Sequence, residues 1–228
     1  MTRLLLWVSI MTFIASCKPD LKQESHTVKT IPNDTREITI AESIAQANGF
    51  DSWKNVNTIN FTFNVDRGDS HFERSWSWSP KTNRVSHMTT QDTIHYNRST
   101  IDSLSIKADQ NFINDKFWLL APFQLVWDLG TTISEPIKAI APISKTEMNT
   151  ISLVYGNEGG YTPGDAYDLY YGEDFIIKEW VFRKGNSEIP TMSTTFEDYE
   201  IFEGVKLAKT HKTGDGKFKL YFSNISIE

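Results

Sequence analysis

The sequence predicts a mainly β (α+β) fold: roughly nine to eleven short antiparallel strands in a meander, with short helices across the concave side of the sheet. Three observations predict it. Apolar and polar residues alternate with a period of two through most of the chain after residue 58. Turns rich in Gly, Asp, Asn and Pro join these runs closely, as in a meander. Residues 111–130 break the alternation with a stretch that is apolar on several sides and must be buried against the sheet.

The chain opens with one basic residue, Arg3, and an apolar stretch over 4–15 relieved only by Ser9 and Thr12; it ends in Ile14-Ala15-Ser16-Cys17. Residues 1–16 thus have the layout of a secretory signal peptide. About a dozen apolar residues make a helix of roughly 18 Å, short of the ~30 Å hydrocarbon core that a membrane span must cross. The aliphatic-small-small-Cys ending resembles the lipobox of bacterial lipoproteins. That resemblance implies lipid on Cys17 and anchorage to a membrane. Lys18, rather than Asp, follows the cysteine, so the expected address is the outer membrane, facing the periplasm. Cys17 is the only cysteine, which excludes an intramolecular disulfide. Residues 17–37 are polar, contain two prolines and read as a flexible tether. Residues 38–228 suit one domain with a real core.

A short helix is expected next. Thr39 and Glu42 have capping-box spacing, Ile40, Ile44 and Ala47 form an apolar stripe, and Asn48-Gly49 is a stop signal. Phe50 and Trp53 follow as anchors to a sheet. In the first strand Ile59, Phe61, Phe63 and Val65 share one face, opposite Asn60, Thr62 and Asn64. A turn at 66–69 leads to Phe72, Arg74, Trp76 and Trp78; a turn at 79–83 leads to Val85, His87 and Thr89, and a further strand covers 93–97. Within 111–130, Asp115 is placed to cap a first short helix, Pro122 suits the first turn of a second, and Gly130 its end. Strands resume at 151–155, 166–171, 175–183, 191–199, 205–212 and 218–227. A loop dense in turn residues, Gly159-Gly160-Tyr161-Thr162-Pro163-Gly164-Asp165, precedes the second of these.

Residues 41–63, 112–128 and 159–171, behind a lipoprotein-like N-terminus, resemble an uncharacterised group of bacterial envelope lipoproteins within the LolA/LolB-like lipoprotein-carrier superfamily. The resemblance implies a half-barrel whose curved sheet wraps an apolar cavity, helices as its lid, and non-catalytic binding of acyl chains or another amphiphile. The aromatic residues available to line such a cavity are Phe61, Phe63, Trp76, Trp78, Phe117, Trp118, Phe123, Trp127, Trp180 and Phe182. Tyr161 and Asp165, with Tyr167, are candidates for contact with a head group. Segment 112–128 would be the lid, broken at Pro122. The alternative is a filled core in which these rings pack on one another, in an envelope protein that binds a protein partner.

Other chemistries find little support. The formal net charge is -6 with no Lys/Arg cluster, so nucleic acid is not an expected partner. His71, His87 and His95 could supply three imidazoles to zinc, but nothing in the sequence shows that they converge, and neither metal nor cofactor is expected. The 159–165 loop has no phosphate-loop lysine, and no Gly-x-Ser-x-Gly elbow occurs. The carboxylates Asp165, Glu179, Glu197 and Asp198 could be paired in space, but solvated strand faces account for most of them, and no enzyme activity is expected. Replacing Cys17 by Ser is expected to abolish incorporation of labelled palmitate and to release the protein from envelope membranes. Retained label would show that no lipid is attached at this position.

Overall fold

The computed structural model describes residues 36–89, 92–158 and 160–228. The expectations for the signal peptide, for Cys17 and for nearly all of the tether lie outside the described residues.

Helix α1 (Ile40–Ala47) begins at its capping box: Glu42 N donates to Thr39 Oγ1 at 3.2 Å, and Thr39 N donates to the Glu42 carboxylate at 2.8 Å. It stops at Asn48, and Gly49 turns the chain with φ +86° into a second short helix, α2 (Phe50–Trp53). Thirteen strands are present among the described residues. They are β1 (Ile59–Arg67), β2 (Ser70–Ser79), β3 (Arg84–Met88), β4 (Thr93–Asn97), β5 (Thr131–Ile133), β6 (Ile137–Ile140) and β7 (Glu147–Tyr155). After these come β8 (Ala166–Tyr171), β9 (Ile177–Arg183), β10 (Met192–Thr195), β11 (Glu197–Phe202), β12 (Val205–Lys212) and β13 (Phe218–Ile227). A long helix, α3 (Ile106–Trp127), separates β4 from β5.

The strands form two antiparallel sheets, neither closed into a barrel. One has the order β11-β12-β13-β1-β2-β3-β4; the other runs β10-β9-β8-β7-β5, with β6 also pairing β7. The count exceeds the sequence expectation for two physical reasons. β5 and β6 are three and four residues long, too short for alternation to register. The run at 191–199 is two strands, because the chain leaves one sheet for the other at Phe196. Phe196 N donates to Lys178 O at 2.7 Å, while Lys212 N donates to Thr195 Oγ1 at 3.1 Å, so this crossing ties the sheets together.

Helix α3 packs on the inner faces of both sheets. Its Phe112, Leu119, Leu120 and Phe123 share a core with Phe61, Trp76 and Trp78. Its Ala121 and Leu125 share another with Ile151, Leu169 and Trp180, and Trp118 and Val126 touch both. The expected pair of short helices is one kinked element that starts well before Asp115. That residue is therefore not a cap but a fully buried carboxylate in mid-helix. The kink lies at Leu120 (φ -116°, ψ 24°), two residues before Pro122, whose ring and missing N–H disrupt the turn preceding it.

Helices α1 and α2 are held on the first sheet by a close backbone approach. Lys206 N donates to Asn48 O at 2.9 Å, and a Cβ on Gly49 would lie 2.0 Å from Gly204 O. Gly49→Ala combines a left-handed φ with a backbone collision, and is expected to cost about 3 kcal/mol in urea unfolding.

Candidate ligand-binding cavity

Between the β1–β2 hairpin, α3, the inner face of β8 and β9, and the loop 156–165 lies an open cavity of about 940 Å³. Local periodicity explains its walls. Phe63, Val65 and Arg67 project from one face of β1, and the register pairs Phe63 with Arg74 and Val65 with Phe72, which join them on that side. On α3 the lining residues Gln110, Ile113, Asn114, Phe117 and Trp118 recur at helical spacing. Tyr167, Trp180 and Phe182 come from β8 and β9.

Of the sequence-derived candidates, Phe63, Phe117, Trp118, Trp127, Trp180 and Phe182 line this cavity, as do Tyr161 and Asp165. Phe117 lies 4.6 Å from Tyr167 and 5.6 Å from Trp180 between ring centroids, Trp118 lies 4.4 Å from Trp180, and Tyr167 stacks on Phe182 at 5.2 Å. Phe61, Trp76, Trp78 and Phe123 are placed elsewhere. All four are buried in the core formed by α3 and the first sheet. Trp76 stacks on His87 at 4.3 Å, Trp78 meets Phe112 and Trp53, Phe61 meets Phe222, and Phe123 packs on Phe50, Trp53 and Trp127. The side chains of α3, Phe123 among them, occupy the space over Phe61, Trp76 and Trp78.

Charged groups on α3 organise the cavity edge. Asp115 receives Arg74 Nε at 2.9 Å, Arg74 Nη2 at 2.7 Å and Trp76 Nε1 at 2.8 Å. Burial raises its carboxyl above the ordinary range, and the Arg74 charge opposes that shift. Asp109, also fully buried, receives Arg98 Nε at 2.9 Å and the Tyr161 hydroxyl at 2.7 Å, which ties the 156–165 loop to the helix. Burial and then Asp109 push the Tyr161 phenol up to about 12. Lys116 is buried, its Nζ 5.6 Å from the ring centroids of both Trp78 and Trp127. Its neighbours dictate the Gln124 amide orientation: Oε1 accepts from Lys116 Nζ at 3.1 Å, and Nε2 donates to Asp128 at 2.9 Å. Asp128 in turn accepts from the Tyr155 hydroxyl. Burial lowers the Lys116 ammonium to about 8, against the pull of Asp128.

The sequence did not single out Tyr155, Arg67, Arg98 or Lys116. Lys116 carried one signal, a lone cation inside an aromatic segment, whereas the arginines sit in ordinary strand and turn contexts. Glu179, read as a solvated strand residue, is buried and accepts from the backbone N–H groups of Ile143 at 2.7 Å and Ser144 at 2.8 Å. The histidines have separate environments. His71 bonds Asp66, His95 bonds Ser86, His87 stacks on Trp76, and His211 is buried with its imidazole lowered to about 3 by desolvation. Among the described residues no group of three or more His, Cys, Asp or Glu side chains is placed to hold a metal ion. Among them, too, no helix is long and apolar enough to cross a membrane.

No protein-family model matches the chain, and no curated protein matches it. Several solved structures are similar to it. A DUF1329 family protein from Desulfovibrio piger is 7% identical over 83% of this chain and 92% of that one, with a TM-score of 0.47. A LolA superfamily protein from Nitrosomonas europaea is 11% identical over 84% and 94%, with a TM-score of 0.47. An outer membrane lipoprotein-sorting protein domain from Vibrio parahaemolyticus is 9% identical over 82% and 93%, with a TM-score of 0.44.

The Lys116 shift has a consequence for stability. Below about pH 8 the ammonium is charged in folded and unfolded chains alike, and its burial is destabilising. Between about 8 and 10.5 the folded chain has released the proton while the unfolded chain still holds it, so stability rises with pH in that window. In urea unfolding the parent protein is expected to gain more stability than Lys116→Met between about pH 7.5 and about pH 10.

Proposed function

We propose that the protein is a membrane-anchored envelope lipoprotein that holds a hydrophobic or amphiphilic ligand, a lipid or an acyl chain, without catalysing a reaction on it. In this reading residues 1–16 are a signal peptide, Cys17 carries lipid at the outer membrane facing the periplasm, 17–37 form a tether and 38–228 the binding domain. The observation that carries the ligand reading is the cavity of about 940 Å³, walled by Phe63, Phe117, Trp118, Trp127, Tyr167, Trp180 and Phe182. Its volume falls within the roughly 300–1,000 Å³ typical of small-molecule sites. At ~0.8 kcal/mol per buried methylene, ten carbons of an acyl chain contribute about 8 kcal/mol before the costs of association. The filled-core alternative describes Phe61, Trp76, Trp78 and Phe123, each buried against other core rings; the remaining candidates border open space. A domain tied to one membrane receives or stores its ligand there, and is poorly suited to diffusing as a shuttle.

Native mass spectrometry of the purified protein, followed by lipid extraction, is expected to reveal a bound amphiphile. The protein stripped of lipid is expected to take up a neutral hydrophobic dye. Met192→Trp, which adds bulk at the cavity wall, is expected to weaken uptake about tenfold, equivalent to ~1.4 kcal/mol, with the unfolding midpoint unchanged. A stripped protein that binds no fatty acid, phospholipid or dye would exclude this function.

A further inference from the structure

We infer that the cavity selects an amphiphile with an anionic head group, a phosphate or carboxylate, which it takes along the strand wall that Arg67, Arg74 and Arg98 line. This rests on the lipid-binding reading above. All three arginines line the cavity: Arg67 ends β1, Arg74 lies in β2, and Arg98 directly follows β4. Their donors are only partly used. Arg74 gives Nε and Nη2 to Asp115, and Arg98 gives Nε to Asp109. Nη1 of Arg74 and both terminal nitrogens of Arg98 have no hydrogen-bond acceptor among the described residues. The Arg67 side chain has neither an ion pair nor a hydrogen bond among them, and its guanidinium lies over the Phe218 ring at 5.2 Å.

Aromatic faces and buried carboxylates orient these groups. The Arg74 guanidinium lies 5.3 Å from the Phe63 ring centroid and 4.9 Å from that of Phe72. A guanidinium held on ring faces, with one edge on a carboxylate, is oriented before a ligand arrives, so less ordering is required on binding. Its free edge matches the oxygens of phosphate or carboxylate. A neutral lipid would cover the same donors without satisfying them.

The acidic residues that line the cavity come from other elements. Asp128 follows α3 and is bonded to Tyr155, Asp165 accepts from Gly185 N at 2.8 Å, and Glu158 lies in the 156–165 loop. The arginines thus come from β1, β2 and the turn after β4, and the acids from the residue after α3, the 156–165 loop and the residue before β8, while Lys116 adds a cation on α3. The three arginines place the head group at the strand wall and the chain against Phe117, Trp118, Tyr167 and Trp180.

The test loads the purified protein, stripped of bound lipid, with the neutral dye N-phenyl-1-naphthylamine. It then compares displacement by decyl phosphate, decanol and inorganic phosphate, all below micelle-forming concentrations. Decyl phosphate is expected to displace the dye at about tenfold lower concentration than decanol, and inorganic phosphate not at all. Arg67→Gln, which breaks no ion pair, is expected to reduce that preference at least about threefold. Arg98→Lys keeps the charge but loses the planar fork, and is expected to reduce it similarly. Arg67→Gln, whose side chain makes no ion pair among the described residues, is expected to keep the parent's unfolding midpoint, so that its lost preference is not a loss of fold. Equal displacement by decyl phosphate and decanol, or a preference unaltered in both variants, would overturn the head-group site while leaving the lipid reading intact. Displacement by inorganic phosphate alone would also overturn it, as a site for a free anion. Failure to take up either dye or decanol would instead defeat the lipid reading itself.

Discussion

The seating of α3 between the two sheets is the constraint on which the rest of the structure depends. Each open sheet has an apolar inner face that must be covered, and one helix contributes to both cores. Apolar packing alone leaves a helix free to slide along a sheet. Two fully buried carboxylates on α3 remove that freedom: Asp109 can meet Arg98, and Asp115 can meet Arg74 and Trp76, in only one register. Breaking such a buried pair by removing one partner typically costs about 3–5 kcal/mol. The penalty for a misplaced helix is therefore steep, even though the pairs add little over apolar packing of the same shape.

The same helix divides the aromatic residues into two populations. Where α3 lies over Phe61, Trp76 and Trp78, its own side chains complete a packed core. Toward the β1–β2 hairpin and the 156–165 loop, the rings border open space instead. Residues on both sides of the kink at Leu120 contribute to both cores, and the Lys116–Gln124–Asp128–Tyr155 chain of polar contacts spans that kink. The bond from Tyr161 to Asp109 joins the loop to the same buried carboxylate that receives Arg98, so loop position and helix position are coupled at one residue.

Much of the fold was legible because it is local. The Thr39–Glu42 capping box appears as the sequence spells it, and the strands at 93–97, 166–171, 205–212 and 218–227 begin and end as the alternation predicts. The short strands β5 and β6 escaped because three or four residues cannot show a period. The break at Phe196 escaped because alternation continues through a residue that changes sheets. Asp115 was read as a cap because an acidic residue before an apolar run usually is one; its actual partners are a strand arginine and an indole far away in sequence.

Alternation by itself determined that Phe61, Phe63, Trp76 and Trp78 belong to inward faces of strands, since period two follows from the geometry of an extended backbone. The break in alternation and the position of Pro122 likewise determined that the segment around 112–128 is helical, interrupted and packed against those faces, although it forms one kinked helix rather than two short ones. Only the tertiary structure decided which inward rings are covered and which line a cavity, because that depends on where a helix comes to rest. It alone also brought Arg67, Arg74 and Arg98 to one cavity. They stand on two strands and a turn of one meander, and which of its residues face a cavity depends on where α3 and the second sheet come to rest, which leaves no mark in local sequence.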